Sequence, residues 1–151
     1  MDVNKKRSHS ERSDAMEVCK KQFKKRQAIL DFLQNTTAHP SAEMVFNHLK
    51  PEIPDLSLGT VYRNIAMFKE EGTIQSIGVV NGLERYDFNT APHTHFICTT
   101  CGQVLDLEGV DLPPATVTEA EAMVGGSITT YHLQFSGECA DCKAHEHHTL
   151  N

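Results

Sequence analysis

The chain has 151 residues, 39% of them hydrophobic, and a formal net charge of -6, enough for one ordinary domain or two small ones in a soluble, globular protein. No apolar run approaches the length of a membrane span, and the basic stretch Met1 to Arg12 has no apolar segment behind it. A membrane partner and secretion are therefore not expected, and the chain is expected to be cytoplasmic.

The charge is unevenly placed. Residues 1–80 carry 12 basic and 10 acidic residues, residues 81–151 carry 2 and 10, and residues 1–26 alone carry 9 and 4. Such asymmetry points to a front half that faces nucleic acid and a back half that binds metal or a partner. Residues 1–13 are expected to be a disordered basic arm. Ala15 to Phe23 predicts a first helix, and Arg26 to Gln34 repeats Ile29, Leu30 and Leu33 at helical spacing. Cys19, in the first of these, is expected to be a small buried apolar residue. Pro40 marks the start of the next helix, with Met44, Val45, Phe46 and Leu49 as its buried stripe, and His48 is expected on its surface. Pro51 and Pro54 turn the chain. Ser57 then caps Leu58 to Glu71, whose Val61, Ile65 and Phe68 are spaced to pack while Thr60, Tyr62, Arg63 and Lys69 look outward.

Gly72 stops that helix and the period becomes extended, from Ile74 to Val80 and from Leu83 to Phe88, with Asn81-Gly82 between as a hairpin turn. Helices followed by a two-stranded ribbon make a winged helix-turn-helix, whose second helix enters the major groove of double-stranded DNA. Ser57, Thr60, Tyr62 and Arg63 suit phosphate and base contacts. The pattern alone is equally compatible with a small α+β domain carrying an exposed polar helix.

The back half carries the metal chemistry. His93-Thr94-His95-Phe96-Ile97-Cys98-Thr99-Thr100-Cys101 packs two imidazoles and two thiols, and Cys139 and Cys142 form a second C-x2-C pair. In a reducing compartment paired cysteines favour metal over disulfides. Four thiolates fill a closed tetrahedral zinc site, so Cys98, Cys101, Cys139 and Cys142 read as structural, with redox dithiols as the rival. Residues two apart on a strand point to one face, so His93 and His95 can reach one ion, and imidazoles with carboxylates nearby suit iron or manganese. Val104 to Leu107 and Ile128 to Phe135 read as strands, His132 as a strand residue, and Pro113-Pro114 as the start of a helix running to about Val124.

Ser57-Leu58-Gly59-Thr60-Val61-Tyr62-Arg63-Asn64 resembles the recognition helix of the ferric uptake regulator (Fur) superfamily. His39-Pro40-Ser41-Ala42, Arg85-Tyr86-Asp87-Phe88, His93-Thr94-His95, Cys98 and Cys101 before Gly102, and Cys139 with Cys142 follow in that family's order, covering about residues 14 to 143. The resemblance implies an α+β fold, with a winged-helix DNA-binding domain at 14–89, a small α/β dimerisation domain with a structural zinc at 90–143, and a flexible histidine-containing tail at 144–151. It also implies a homodimer on operator DNA. Within it the harder site gathers His39, Asp87, His93, His95 and Asp106, which would hold Fe2+ or Mn2+ and fix the spacing of two winged helices.

Aspartate at both Asp87 and Asp106 resembles the peroxide-stress regulator (PerR) branch, where Fur members more typically carry glutamate. In that branch Fe2+ and hydrogen peroxide oxidise a ligand histidine, corresponding to His39 or His93, and DNA is released. Arg63 looks more Fur-like, which keeps an iron-responsive repressor of iron uptake as the alternative, ahead of a zinc or manganese sensor. Pro92, Thr94, Pro113 and Tyr131 stand where the ligands of a further metal site of some family members are expected, so that additional site is expected to be absent. A mononuclear iron enzyme is a different class of reading, since two histidines and a carboxylate also describe oxygenase sites. Nothing else in the sequence supports an enzyme.

Overall fold

A computed structural model describes residues 9–146, whose first element is a long helix, α1 (His9–Gln34). The sequence suggested two separate stretches here. Between them stand Lys24 and Lys25, which are good helix formers, and neither glycine nor proline interrupts the run, so one helix continues through. Residues 9–13, expected in a disordered arm, belong to α1, and residues 1–8 lie outside the described residues. Only the second half of α1 packs. Ile29 and Leu33 are buried, while every residue from 14 to 24 is exposed, including Met16, Val18 and Phe23. Cys19 is exposed as well, against expectation, because that part of α1 runs beyond the helices it would need to cover it.

The side chain of Ser41 caps α2 (Ala42–Leu49) by accepting from the Met44 amide at 3.3 Å. Ser57 caps α3 (Leu58–Glu70) by accepting from the Thr60 amide at 3.2 Å, and Gly72, with φ 69°, ends it. Apolar faces of the three helices meet in one core containing Ile29, Leu33, Val45, Leu56, Ile65 and Phe68. Each such side chain contributes roughly 1.5–3 kcal/mol by leaving water.

A hairpin follows, β1 (Gln75–Val80) against β2 (Leu83–Asp87), antiparallel with a bulge between Ser76 and Gly78. Its turn has Asn81 at φ 53° and Gly82 at φ 79°, the left-handed pair that a tight two-residue hairpin needs. Beyond it lies a three-stranded sheet in the order β4-β3-β5, formed by β3 (Thr94–Cys98), β4 (Val104–Leu107) and β5 (Leu133–Gly137). The β3/β4 pair is antiparallel and the β3/β5 pair parallel. The crossover holds α4 (Pro114–Val124), none of whose residues is buried in the single chain.

β5 begins at Leu133 rather than Ile128. Its partner β3 starts at Thr94, which lies opposite Leu133, so residues 128–132 have no strand to pair with, and His132 is exposed outside the sheet. A last helix, α5 (Ala140–Glu146), was not anticipated and occupies part of the expected tail; residues 147–151 lie outside the described residues.

The fold is thus α+β, a winged helix-turn-helix followed by a small α/β unit. The halves are not separate in their packing, because Val80 and Ile77 of β1 share a second apolar cluster with Ile97 and Val104 of the sheet. Among the described residues no helix is long and apolar enough to cross a membrane.

Candidate metal centres

Cys98, at the end of β3, opens a tight turn in which the Gly102 amide donates to the Cys98 carbonyl at 2.9 Å and the Cys98 amide donates to the Gln103 carbonyl at 2.9 Å. That turn brings Cys101 back beside Cys98, while Cys139 and Cys142 arrive at the start of α5. All four sulfurs lie within 4.8 Å of one another, Cys98 to Cys142 at 3.8 Å and Cys101 to Cys139 at 3.9 Å. Zinc–sulfur bonds of about 2.3 Å at tetrahedral angles place sulfurs about 3.8 Å apart, whereas a disulfide needs about 2.05 Å. Backbone amides of Cys101 and Cys139 aim at Cys98 and bring its thiol down to about 6. Its hydrogen bond with Cys139, with burial, pushes Cys142 up, so without a cation the cluster cannot ionise evenly. Cys101 is exposed and the other three are buried or half-buried, and the donor set and spacing suit a structural zinc.

The second cluster lies at the junction of the two halves. Asp87 ends β2, and the Asn89 amide donates to its Oδ1 at 2.8 Å. Gln75 Nε2 donates to the Asn89 carbonyl at 2.8 Å and reaches Asp87 Oδ2 at 3.4 Å. His95 and Asp106 are direct cross-strand partners on β3 and β4, so strand register sets them side by side. His39 comes from the loop before α2, in the left-handed region at φ 47°, a conformation a non-glycine residue holds at a cost of order 1–3 kcal/mol. The chain is kept there by the Tyr86 amide of β2, which donates to the Pro40 carbonyl at 3.1 Å.

These elements aim three imidazoles at one point. Asp106 Oδ1 is 2.9 Å from His39 Nε2, 3.2 Å from His93 Nε2 and 3.4 Å from His95 Nε2. Asp87 Oδ2 is 3.1 Å from His93 Nε2 and 3.4 Å from His95 Nε2, and Asp87 Oδ1 is 3.9 Å from His39 Nε2. All five sequence-predicted residues therefore meet. Asp106, with 36% of its side chain exposed, is the open side of an otherwise buried group. A solvent-open cavity of about 530 Å³ reaches it past Thr36, Thr37, His39 and Asp87.

A cation fits this arrangement better than hydrogen bonds do. His93 Nδ1 is 2.8 Å from the Ala91 carbonyl, which can only accept, so in the neutral ring the proton sits on Nδ1 and the lone pair on Nε2. That lone pair then faces two carboxylate oxygens, an arrangement that repels unless a positive charge lies between them. His95 Nε2 is buried without a hydrogen-bond partner. Burial, reinforced by His93 and His39, holds the His95 pKa below its ordinary value against the pull of Asp87 and Asp106, which favours the neutral, donating ring. Donors on a metal at about 2.1 Å sit roughly 3 Å from their neighbours, close to the shortest separations here. Nitrogen and oxygen donors without sulfur suit iron or manganese.

The description "Ferric uptake regulator family" matches residues 18–136. The chain belongs to the ferric uptake regulator family. It is 35% identical over 126 residues to the peroxide operon regulator of Bacillus subtilis (strain 168), covering 82% of this chain and 84% of that protein. The peroxide stress regulator of Campylobacter jejuni superposes with a TM-score of 0.65 at 26% identity, over 89% of this chain and 99% of that one. The ferric uptake regulator of Francisella tularensis, solved with iron, gives a TM-score of 0.68 at 25% identity, over 78% and 90%. Ferric uptake regulators are dimeric, metal-responsive transcriptional regulators that bind DNA.

Of the residues that the sequence pointed to for DNA contact in this Fur-family chain, Tyr62 and Arg63 are exposed on α3 away from buried Val61, Ile65 and Phe68, Thr60 is half-buried on its flank, and Ser57 is its exposed N-cap. Ser57 Oγ and Thr60 Oγ1 are 2.9 Å apart, Arg63 Nη2 donates to Thr60 Oγ1 at 3.1 Å, and the Tyr62 hydroxyl donates to Glu43 of α2. Sequence reasoning missed the groups that orient the ligands, namely Ala91, Asn89 and Gln75, because a backbone carbonyl leaves no signature and glutamine at a strand start has no periodic meaning.

Proposed function

We propose that the chain is a metal-dependent repressor that binds double-stranded operator DNA as a homodimer when Fe2+ or Mn2+ occupies His39, Asp87, His93, His95 and Asp106. Hydrogen peroxide ends repression by oxidising His39 or His93, and Cys98, Cys101, Cys139 and Cys142 hold a structural zinc. The carrying observation is the convergence of three Nε2 atoms on Asp106 Oδ1 at 2.9–3.4 Å, from both sides of the junction between the winged helix and the sheet.

His39 belongs to the DNA-binding half and His93, His95 and Asp106 to the other, so a cation held by all of them fixes how the two halves meet. In a dimer that fixes the separation of the two α3 helices, which must match successive major grooves. The cation is then an effector that shifts the population towards the DNA-competent arrangement, by as much as its affinities for the two arrangements differ. Ser57, Thr60, Tyr62 and Arg63 are the side chains proposed to meet the DNA.

When bound, Fe2+ supplies the electron-transfer chemistry that turns hydrogen peroxide into an oxidant beside the rings. Overall one peroxide oxygen inserts into an imidazole C–H bond, the other leaves as water, and the ring loses two electrons. Asp106 leaves the site open on one side, and the cavity beside it admits a molecule as small as peroxide. An oxidised His39 or His93 ring would be a poorer donor, so the five residues would hold the cation less tightly and the two halves would no longer be tied together.

The test is peroxide treatment of the iron-loaded protein on a palindromic AT-rich duplex. One added oxygen on the peptide carrying His39 or His93, with loss of DNA retardation, is the expected result. Unmodified histidines with retained DNA binding overturn peroxide sensing. Exposed Arg63 on α3 favours the second reading, an iron-responsive repressor of iron uptake, in which DNA binding follows iron supply and the histidines stay unmodified.

A further inference from the structure

Arg85 of β2 lies two residues before Asp87, and its guanidinium joins two distant backbone segments. Nη1 donates to the His39 carbonyl at 3.2 Å and Nη2 donates to the Gly102 carbonyl at 3.1 Å. Both accepting residues have left-handed backbones, His39 at φ 47° and Gly102 at φ 74°. Both are also fixed by other elements. Gly102 is placed by the Cys98–Gln103 turn, and a Cβ there would collide with Asn81 at the tip of the wing. His39 precedes Pro40, whose carbonyl accepts from the Tyr86 amide.

The cation has no carboxylate partner among the described residues, and its Nε is buried without a hydrogen-bond acceptor. Withdrawing an unpaired guanidinium from water is unfavourable. Nη1 also donates to the Met44 sulfur at 2.8 Å, and two carbonyls and a thioether are weak compensation for stability alone. Its geometry has a clearer consequence for position, since the planar fork can span two acceptors at a fixed separation.

We propose that Arg85 is a positioning residue that couples the four-cysteine turn to the regulatory site, by holding the His39 carbonyl at a set distance from the Gly102 carbonyl. His39 then reaches the cation at full affinity only when the cysteine turn is folded. The inference rests on the reading of His39 as a ligand. Arg85 touches no metal itself and acts through His39, as groups that orient a ligand generally do.

The experiment is calorimetric titration of the full-length, zinc-containing protein with Mn2+, which binds without oxidising the site. Arg85→Met is expected to weaken Mn2+ binding about 10- to 100-fold, the usual effect of losing a ligand-orienting partner, with zinc content unchanged. In a His39→Ala background the same replacement is expected to have no further effect, because the residue through which Arg85 acts is gone. Hydrogen exchange of the Tyr86 amide in the Mn2+-free protein should quicken in Arg85→Met. Unchanged Mn2+ affinity, or an equal loss in the His39→Ala background, overturns the coupling. Should Arg85→Met fail to fold, Arg85→Lys keeps the charge but cannot span both carbonyls, and it should give a smaller loss that again vanishes without His39. Failure of the underlying site looks different: His93→Ala then binds Mn2+ as tightly as the wild type, and the proposal falls with it.

Discussion

The four-cysteine cluster and the histidine–aspartate cluster both draw on β3, yet they recruit their other members differently. Cys98 and Cys101 come from one turn, Cys139 and Cys142 from the start of one helix, and all four belong to the C-terminal unit. The other cluster takes His39 from the loop before α2, Asp87 from the end of the wing, and His93, His95 and Asp106 around the sheet. The first supplies four thiolates, enough to fill a tetrahedral zinc, though Cys101 is exposed, and the second has an open flank at Asp106. A cation in the first holds together chain that already belongs to one unit. On the proposed reading, a cation in the second would also set how the winged helix and the sheet are arranged. On that reading the same strand would serve permanence and responsiveness at once.

The most drastic way to break this contrast is Cys98→Ser. Structural zinc in small domains is worth roughly 10 kcal/mol or more, so this variant should lose its zinc and the cooperative unfolding of the sheet, read by metal analysis and calorimetry. A wild-type melting curve without zinc would mean the cluster holds nothing together. His93→Ala should do the reverse. Zinc content and the Mn2+-free melting temperature should stay as in the wild type, while Mn2+ affinity falls by about 100-fold or more, equivalent to roughly 2.7 kcal/mol. If zinc were lost as well, the clusters would not be independent.

A finer probe is Gln75→Ala, which removes the amide holding Asp87 and Asn89 without touching any ligand. Mn2+ affinity is expected to fall about tenfold, and an unchanged titration would mean that the Asn89 amide orients Asp87 alone. The subtlest effect is pH. The His95 pKa is lowered in the folded protein, so the unfolded chain binds more protons between that value and its own value of about 6.5. Stability of the Mn2+-free protein should therefore be complete above about pH 6.5, decline as pH falls through the window, and level off below the folded value. His95→Gln should flatten that part of the pH profile, and an identical slope would assign it to another group.

Much of this was legible in the sequence where local rules decide. Ser57 as a cap, Asn81-Gly82 as a turn and Val104 to Leu107 as a strand stand where short-range chemistry places them. The cysteine pairs were legible because C-x2-C is itself the structural unit. His93 and His95 were legible through alternation, but the recruitment of His39, Asp87 and Asp106 rested on the resemblance, since only the fold closes those distances. Misreadings came where a partner was missing or unforeseen. Residues 128–132 alternate like a strand but find no neighbour, and α5 is too short for its period to register. Cys19 was expected inside because it lies on a helix, but the packing stops before reaching it. The left-handed backbone of His39 was not legible, because histidine visits that region more than most residues but not often enough to signal it; Arg85 and the Tyr86 amide hold it from outside.

The pleat of β3 sets a limit on how this chain could change. His95 and Cys98 are three residues apart, an odd spacing, so they leave the strand on opposite sides. Ile97 goes with His95 and meets Val104 and Val80, while Phe96 goes with Cys98, its ring close to Gly137. Inserting or deleting one residue between His95 and Cys98 would put both on the same side and disconnect one centre or the other. Drift in length is open to the loops at either end of this strand, but inside it lineages can only exchange one side chain for another.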